Sequence, residues 1–224
     1  WKNANYRYTA GDTLTVGATF ANQNFIAIGR QGGNSVFKGH ISGAQTDGSV
    51  TEIANLRIVG KEVAGLFGYV QDAEVRSVGA SGTVIAYADG TNSNSRSVAG
   101  GIVAVAYGAS IIDGCEAGSQ NRPLYVYAYG NTQAYNNNNT IYITTSAGGI
   151  VGLANTVRYR SGYHSYSEGT TATISNNKVV NAYVRSAKNN IGGIVGLATG
   201  TLEYPSNIFA KDMNKKGEIS AGDG

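Results

Sequence analysis

The chain has 224 residues, of which 42% are apolar and only 14% are charged. This apolar content excludes a disordered chain, and 32 glycines without a strict triplet exclude a collagen-like one. The 17 basic and 14 acidic residues are scattered and leave a net charge of only +3, so no nucleic-acid partner is expected. The single cysteine excludes an internal disulfide framework. No apolar run approaches the roughly 18–20 residues of a membrane span, so this segment is not expected to insert into a membrane.

The first third of the chain predicts short β-strands separated by turns. Short runs rich in Val, Ile, Thr and Tyr are separated by Gly, Asn, Ser and Asp, and helical periodicity is almost absent. The apolar residues of the run 50–59 do not alternate cleanly, which indicates a bend or bulge near Ala54 and Asn55. The predicted strands of this part are residues 13–19, 25–28, 36–43 and 50–59, with a turn at 30–35.

The rest of the chain continues this pattern around longer polar segments. The run 124–129, LYVYAY, alternates with period two, which predicts that its tyrosines and its aliphatic residues point to opposite faces of a strand. Residues 88–97 and 130–139 are polar enough to be loops, and residues 211–224 are expected to form a cap or a frayed tail. Further strands are predicted at residues 73–78, 82–87, 109–118, 140–144, 171–175 and 179–185.

A glycine-rich motif recurs four times and indicates a repeat architecture. The copies are AGLFG at 64–68, AGGIVA at 99–104, AGGIVG at 147–152 and IGGIVG at 191–196, and their anchor glycines are 36, 48 and 44 residues apart. Glycine weakens a strand unless another backbone approaches closely or the strand bends. Adjacent apolar residues indicate burial on both faces, as in a parallel sheet. The motif therefore predicts stacked parallel strands.

Stacking at about 4.8 Å would align the motif into columns. One column would contain Leu66, Ile102, Ile150 and Ile194, and the next Phe67, Val103, Val151 and Val195. This arrangement is a parallel β-helix, or β-solenoid, in which each interval would hold about two coils of roughly 20–25 residues. The alternative is a β-sandwich or propeller, and a sandwich would have hairpin turns at the three Asp-Gly pairs, 47–48, 89–90 and 113–114.

The ordered series of motifs resembles the GLUG repeat family. Its characteristic segments match FKGHISG at 37–43, IANLRI at 53–58, AGLFG at 64–68 and IDGCEAG at 112–118. Gly114 stands where the family has Asn, residues 174–177 match more loosely, and the first copy departs from the paired glycines at Ala64 and Gly65. The resemblance covers residues 25–198.

This resemblance implies a secreted or cell-surface bacterial protein, often an adhesin, in which this chain would be a piece of something longer. We therefore expect one all-β solenoid domain over residues 1–224, with capping coils at 1–45, GLUG-like repeats at 46–210 and a cap or tail at 211–224. The family also occurs beside zinc peptidases, but only His40 and His164 are present and no H-E-x-x-H motif occurs. No cofactor or metal is expected.

Two aromatic clusters are candidate ligand-binding sites. Cations alternate with aromatics in the polar segment 157–169, which could stack on sugar rings or grip an anionic glycan, or could only cover neighbouring coils. The tyrosine face of 124–129 could form a glycan platform or a partly buried ladder. The candidate residues are Arg158, Tyr159, Arg160, Tyr163, His164 and Tyr166 in the first cluster and Tyr125, Tyr127 and Tyr129 in the second.

Other polar residues predict less chemistry. Asp72, Glu74, Asp113 and Glu116 follow the motif at similar offsets and could serve a polysaccharide-degrading enzyme, which needs two carboxyls about 5–10 Å apart, or could be solvated turn acids. We expect Cys115 to be a small core residue and the Asn run 136–139 to be a loop rather than a calcium site. The pairs 176–177 and 189–190 are candidates for asparagine ladders between coils.

The sequence therefore predicts a non-catalytic adhesion module. Its partner would be a host or dietary glycan or a surface protein, beside other domains of the parent chain. The alternatives left open are a polysaccharide-active β-helix lyase or glycosidase and a purely structural stalk.

Overall fold

A computed structural model describes residues 23–29, 36–88, 97–130, 145–155, 172–187 and 190–199, together with the backbone of short strands at 136–137, 140–141 and 219–221. All the regular elements in this part of the chain are β-strands. In chain order these are β1 (His40–Ser42), β2 (Thr51–Lys61), β3 (Val63–Ala64), β4 (Phe67–Gln71), β5 (Glu74–Arg76), β6 (Val78–Tyr87), β7 (Val98–Gly100), β8 (Val103–Tyr107), β9 (Ile111–Asp113), β10 (Glu116–Ala117), β11 (Leu124–Tyr129), β12 (Asn136–Asn137), β13 (Thr140–Ile141), β14 (Ser146–Gly148), β15 (Val151–Asn155), β16 (Thr173–Ser175), β17 (Lys178–Val179), β18 (Ala182–Ser186), β19 (Asn190–Gly192), β20 (Val195–Thr199) and β21 (Ile219–Ala221).

The strands form four parallel sheets. Sheet I has the order β17-β10-β6-β11-β18-β21, with β2 also paired to β6. Sheet II has the order β3-β7-β14-β19, sheet III β4-β8-β15-β20, and sheet IV β1-β5-β9-β16. Among the described residues, antiparallel pairing is limited to β12 with β13 and to two isolated bridges. The β-sandwich alternative, which needs antiparallel sheets, therefore does not describe this chain.

The chain visits the four sheets in a fixed order. Strands β2 to β5 pass through sheets I, II, III and IV in turn, and β6 to β9 repeat that pass. Successive copies of the glycine motif are directly paired neighbours, since Phe67, Val103, Val151 and Val195 are Cα partners. Each interval therefore contains one pass, and the expectation of about two coils per interval is wrong.

The unequal intervals arise mainly at two connections, with a smaller difference in the turn between the two sheet I strands of a pass. From sheet I to sheet II the chain uses one residue, Glu62, in the first pass but the sixteen residues 130–145 in the third. From sheet III to sheet IV it uses two residues in the first pass and the seventeen residues 156–172 in the third. From sheet II to sheet III it uses two residues in every copy. The motif thus stays in register although its spacing varies.

The two predicted columns of the motif are confirmed. The column that begins at Phe67 follows the paired registers of sheet III. In the column that begins at Leu66, backbone hydrogen bonds link the isoleucines. The N–H of Ile102 donates to the carbonyl of Ile150, and the N–H of Ile150 donates to that of Ile194, both at 3.1 Å.

The motif forms the corner between sheets II and III rather than one wall strand. In the third copy Gly148 ends β14, Gly149 and Ile150 form the bend, and Val151 begins β15. The prediction that the apolar pair is buried on opposite faces is wrong, because Ile150 and Val151 are both buried in the same core cluster. A bend interrupts the alternation of a strand, so consecutive side chains can both point inward.

Close backbone approach explains the glycines of this corner. A Cβ added to Gly148 would collide with the carbonyl oxygen of Val151, and one added to Gly149 would collide with that of Gly193. The same overlap with the next copy recurs at Gly101. The sequence-based expectation that another backbone lies against the motif is therefore confirmed.

A register shift divides sheet I into two halves. The pairing of β2 with β6 slips between Ile53 and Leu56, and Asn55 has a φ of 57°. This confirms the bulge predicted near Ala54 and Asn55.

The two halves of sheet I present different outward side chains. In the acidic half, before the shift, the outward residues are Glu52, Gly79, Glu116 and Lys178. In the tyrosine half, after the shift, two outward rows cross β2, β6, β11 and β18, and a third crosses β2, β6 and β11. The rows are Arg57-Thr83-Tyr125-Tyr183, Val59-Ile85-Tyr127-Arg185 and Lys61-Tyr87-Tyr129.

The inward side chains of all four sheets form one core. Sheet I contributes residues such as Leu56 and Leu124, sheet III contributes Phe67, and sheet IV contributes Val75 and Ile112. This shared burial holds the sheets together, because each strand hides its apolar side against its neighbours. None of the described residues belongs to a helix that is long and apolar enough to cross a membrane.

Candidate functional site

The tyrosine half of sheet I contains the second predicted aromatic cluster. Strand β11 spans Leu124–Tyr129, and its aliphatic residues are buried in the core. Its tyrosines lie on the opposite face, in a second cluster with the buried side chains of Val59 and Ile85. The alternation predicted for this run is confirmed.

The tyrosines of this face form a row of nearly parallel rings. The ring centroids of Tyr125 and Tyr127 are 6.4 Å apart, and those of Tyr127 and Tyr129 are 6.0 Å apart, with interplanar angles of 10° and 21°. The row is extended by Tyr183 of β18, whose ring stacks on Tyr125 at 5.0 Å and 10°. We call these four residues the tyrosine row. Their contacts fall within the range in which aromatic pairs attract each other beyond simple burial.

Tyr183 is a site residue that sequence reasoning missed. Its pairing with Tyr125 depends on the parallel register of β11 and β18, in which the two are Cα partners. The signal available in the sequence was the similarity of AYVR at 182–185 to LYVY at 124–127, which places a tyrosine at the same position of two repeats.

Exposure increases across the tyrosine half toward β18. Thr83 is buried, its partner Tyr125 is half-buried, and Tyr183 is 43% exposed. In the next row Ile85 is fully buried and Tyr127 is only 5% exposed. The outward face of the tyrosine half is therefore covered near β6 and accessible at Tyr183 on β18. We call Tyr183 the accessible end of the tyrosine row.

The charge on the tyrosine half is positive. Its outward rows contain Arg57, Lys61 and Arg185 and no carboxylate among the described residues. Arg57 is buried, whereas Arg185 is half-buried beside the accessible end of the row.

The acidic half of the same sheet is organised by an ion pair. Glu52 accepts hydrogen bonds from Arg122 at 2.6 Å and from the hydroxyl of Ser81 at 2.5 Å. The bond from Arg122 lowers the pKa of Glu52 most strongly, against an opposing effect of burial. Glu52 therefore fixes the turn after β10, which carries Arg122, onto sheet I.

A second ionic ladder crosses the outer face of sheet IV. Arg76 donates to Glu74 at 3.0 Å and to Asp113 at 2.9 Å. The bond from Arg76 is the main cause of the lowered pKa of Glu74.

Asp113 lies at the centre of this ladder. Burial by itself would raise its pKa and is the largest single effect, but hydrogen bonds from Ser175 and Asn176, together with Arg76, outweigh it. Arg76 adds its charge, so the pKa of Asp113 lies below the ordinary value. A carboxyl with a lowered pKa is a poor general acid at neutral pH, which is the role that a glycosidase requires of one of its pair.

The remaining predicted carboxylates also have structural partners. Asp72 accepts a hydrogen bond from the backbone N–H of Ala109 at 2.9 Å. Glu116 lies 3.9 Å from the ammonium of Lys178. The four candidates are thus distributed over several strands and turns, and Glu74 and Asp113 share a cation rather than facing a substrate-sized gap.

Cys115 and Asn177 have structural roles, as predicted. Cys115 is fully buried in the core, and burial raises the pKa of its thiol to about 12. Asn177 accepts a hydrogen bond from the N–H of Cys115 and donates one to the carbonyl of Ile112, both at 2.9 Å. One side chain therefore links two successive passes, which is the ladder expected for this asparagine.

A left-handed backbone conformation explains why a glycine occupies position 114. Ser77, Gly114 and Asn176 occupy equivalent positions in three passes and have φ values of 53°, 63° and 53°. Gly and Asn adopt this conformation most readily, so Gly114 satisfies the same backbone requirement as Asn176.

Several predicted residues lie outside the described residues. These include the first aromatic cluster and part of the two asparagine-rich runs, and also the strand predicted at residues 13–19. The residues concerned are Arg158, Tyr159, Arg160, Tyr163, His164, Tyr166, Asn138, Asn139 and Asn189. Within the described ranges, no group of three His, Cys, Asp or Glu side chains is placed to hold a metal ion.

Comparisons with protein-family models, with curated proteins and with solved structures find no match to this chain.

Proposed function

We propose that this chain is a parallel β-helix of GLUG-like repeats that serves as a non-catalytic glycan-binding module of a secreted or cell-surface bacterial adhesin. The fixed order of four parallel sheets, with one pass per copy of the motif, supports the β-helix. The motif series resembling GLUG repeats supports the family and the location.

The observation that supports binding most directly is the accessible end of the tyrosine row. Tyr183 is the one aromatic among the exposed large apolar side chains of the described residues, and it stacks on Tyr125. The apolar face of a sugar ring can lie on such a ring, while the phenolic hydroxyl remains available for a hydrogen bond. Tyr127 and Tyr129 then act as the support that fixes the orientation of the row.

A glycan-array screen tests this proposal. The whole chain is labelled and screened, and the best ligands are titrated against wild type and Tyr183→Ala. Loss of a stacked ring is expected to weaken binding about tenfold, which corresponds to about 1.4 kcal/mol. Tyr183→Phe keeps the ring and should lose much less affinity.

Ile41→Ala is the matched control, since Ile41 is also exposed, at 37%, but lies in sheet IV. Its affinity should equal that of wild type. Wild-type protein that binds no glycan at all would support the stalk instead, and hydrolysis or cleavage of a bound polysaccharide would support the enzyme.

A further inference from the structure

We infer that the glycan bound at the tyrosine row is anionic, with a carboxylate or sulfate group that pairs with Arg185. This inference rests on the proposed function and specifies its ligand class. It depends on three observations: the charge of the tyrosine half, the position of Arg185, and the partners of the other arginines.

The charges of sheet I are segregated between its halves. The outward residues of the acidic half include Glu52 and Glu116. The charged residues in the described rows of the tyrosine half are all cations, and Glu62, the residue that follows β2, lies three strands away from β18. An anion approaching the accessible end of the row therefore meets attraction without a competing carboxylate among the described residues of these rows.

Arg185 is placed to meet that anion. It is the Cα partner of Tyr127 and lies two residues after Tyr183 on the same face of β18. It is half-buried, so its interaction with an anion would be screened less than at a fully exposed site. A guanidinium also matches the planar oxygens of a carboxylate or sulfate by donating two parallel hydrogen bonds.

Other arginines of this chain have carboxylate partners within the protein. Arg76 pairs with Glu74 and Asp113, and Arg122 pairs with Glu52. Among the described residues, Arg185 has no ion-pair partner. The contrast leaves the guanidinium of Arg185, among the described residues, available to an anionic ligand.

A glycan fits this site better than a nucleic acid. A nucleic-acid surface needs several cations along a phosphate backbone, and among the described residues the accessible end of the row offers one, next to a stacked pair of rings. One anionic group beside a ring face is the pattern of an acidic sugar residue.

Two pairs of polymers test the inference by changing charge alone. Polygalacturonate is compared with its methyl ester, and dextran sulfate with dextran, by calorimetry with the whole chain. Each charged polymer that binds is expected to bind at least about tenfold tighter than its neutral counterpart, and the difference should shrink as salt is raised. The first pair reports recognition of carboxylates and the second recognition of sulfates.

The variant Arg185→Gln should abolish the preference for the charged polymer while retaining the weaker neutral binding. Tyr183→Ala should weaken both charged and neutral binding. Lys178→Gln is the matched control, because it removes one positive charge from the acidic half of the same sheet, where Lys178 is 54% exposed. It should leave every affinity unchanged, and the thermal unfolding of each variant shows that it is folded.

The outcomes separate the two proposals. The inference would be overturned by equal binding of charged and neutral polymers or by a preference for the charged polymer that survives Arg185→Gln. Both of these outcomes would leave glycan binding intact. Tighter binding of a single-stranded oligonucleotide would also overturn the inference. Array ligands that are all neutral would also overturn it. Absence of binding to every polymer and to the array would overturn the proposed function and the inference together.

Discussion

The two halves of sheet I share strands β2 and β6 but have opposite surface chemistry. In the acidic half the outward charges are neutralised within the protein, as in the pair of Glu52 with Arg122. In the tyrosine half the charged outward side chains are cations among aromatic and aliphatic ones, and Tyr183 is accessible to solvent. The boundary is the bulge at Asn55, which resets the register of β2 against β6. One irregularity therefore separates a surface that stabilises the fold from a surface available for a ligand.

The inner faces of the two halves also differ. Behind the acidic half lie small inward residues such as Ala80 and Ala117, whereas Ile58 and Leu124 lie behind the tyrosine half. Larger inward side chains bury more apolar area, so the strands under the tyrosine row are held more firmly.

The largest expected effect is at the junction of the halves. Gly82 has a φ of 120°, and an added Cβ would collide with the backbone of Leu56. We expect Gly82→Ala to reduce the free energy of unfolding by about 4 kcal/mol, from overpacking of about 1–3 kcal/mol and backbone strain of about 1–3 kcal/mol. Urea unfolding followed by circular dichroism measures the loss.

Gly79→Ala is the comparison within the acidic half. Its added Cβ would lie 3.1 Å from a methyl group of Val50 and 3.3 Å from the Cα of Glu52, which is tight but tolerable after a small shift. A loss below about 1 kcal/mol is expected. If Gly82→Ala and Gly79→Ala lost similar free energies of unfolding, the close approach of Gly82 to the backbone of Leu56 would not distinguish the junction of the two halves from the rest of sheet I.

A smaller effect is expected from truncating the inner faces. Leu124→Ala should cost about 3 kcal/mol, and Val179→Ala, behind the acidic half, should cost about 1.5 kcal/mol because fewer buried methyl groups are removed. Both residues belong to the core cluster. Leu124→Ala should also weaken the near-ultraviolet circular dichroism of the tyrosines, which Val179→Ala should leave unchanged. If both variants lost the near-ultraviolet signal of the tyrosines, the packing of the tyrosine row would depend on the core behind both halves.

The smallest effect concerns the charges of the acidic half. Glu52→Gln should lower the free energy of unfolding at pH 7 by about 1 kcal/mol, since one partner of the pair, Arg122, is well exposed. The folded-state pKa of Glu52 lies below its ordinary value of 4.5, so its contribution is complete above pH 4.5 and is lost as the pH falls through the lowered pKa. Stability should therefore fall less steeply in the variant than in wild type when unfolding is measured from pH 5 to pH 3.

Glu116→Gln serves as the comparison for this charge. The pair with Lys178 is 3.9 Å long and largely exposed, so the expected change is below about 0.5 kcal/mol. A loss as large as that of Glu52→Gln would show that the acidic half depends on general charge balance rather than on the pair with Arg122.

Local patterns in the sequence predicted local structure well. The alternation of 124–129 correctly predicted which residues lie on each face of β11. The broken alternation of 50–59 correctly predicted the bulge at Asn55. The repeated motif gave the columns through Phe67 and its equivalents. Each of these depends on spacing within a few residues or on alignment of near-identical segments.

Features that depend on connections could not be predicted in the same way. The corner at Gly149 and Ile150 is a change of direction, and adjacent apolar residues do not reveal whether the chain bends between them. The pairing of Tyr125 with Tyr183 joins residues in different passes, and the connections between passes vary in length. The accessibility of that pair depends on burial by neighbouring strands, which no local pattern contains.

The constant corner and the variable connections have a consequence for how this chain can lengthen. A connection that grows from one residue to sixteen leaves the paired strands on either side in place. For a flexible segment the entropic penalty rises only with the logarithm of length, by about 0.6 kcal/mol for each doubling. Foreign peptides inserted between sheets I and II should therefore be carried at small thermodynamic cost, whereas a residue added between Gly149 and Ile150 would disturb the corner at which successive copies pack backbone against backbone.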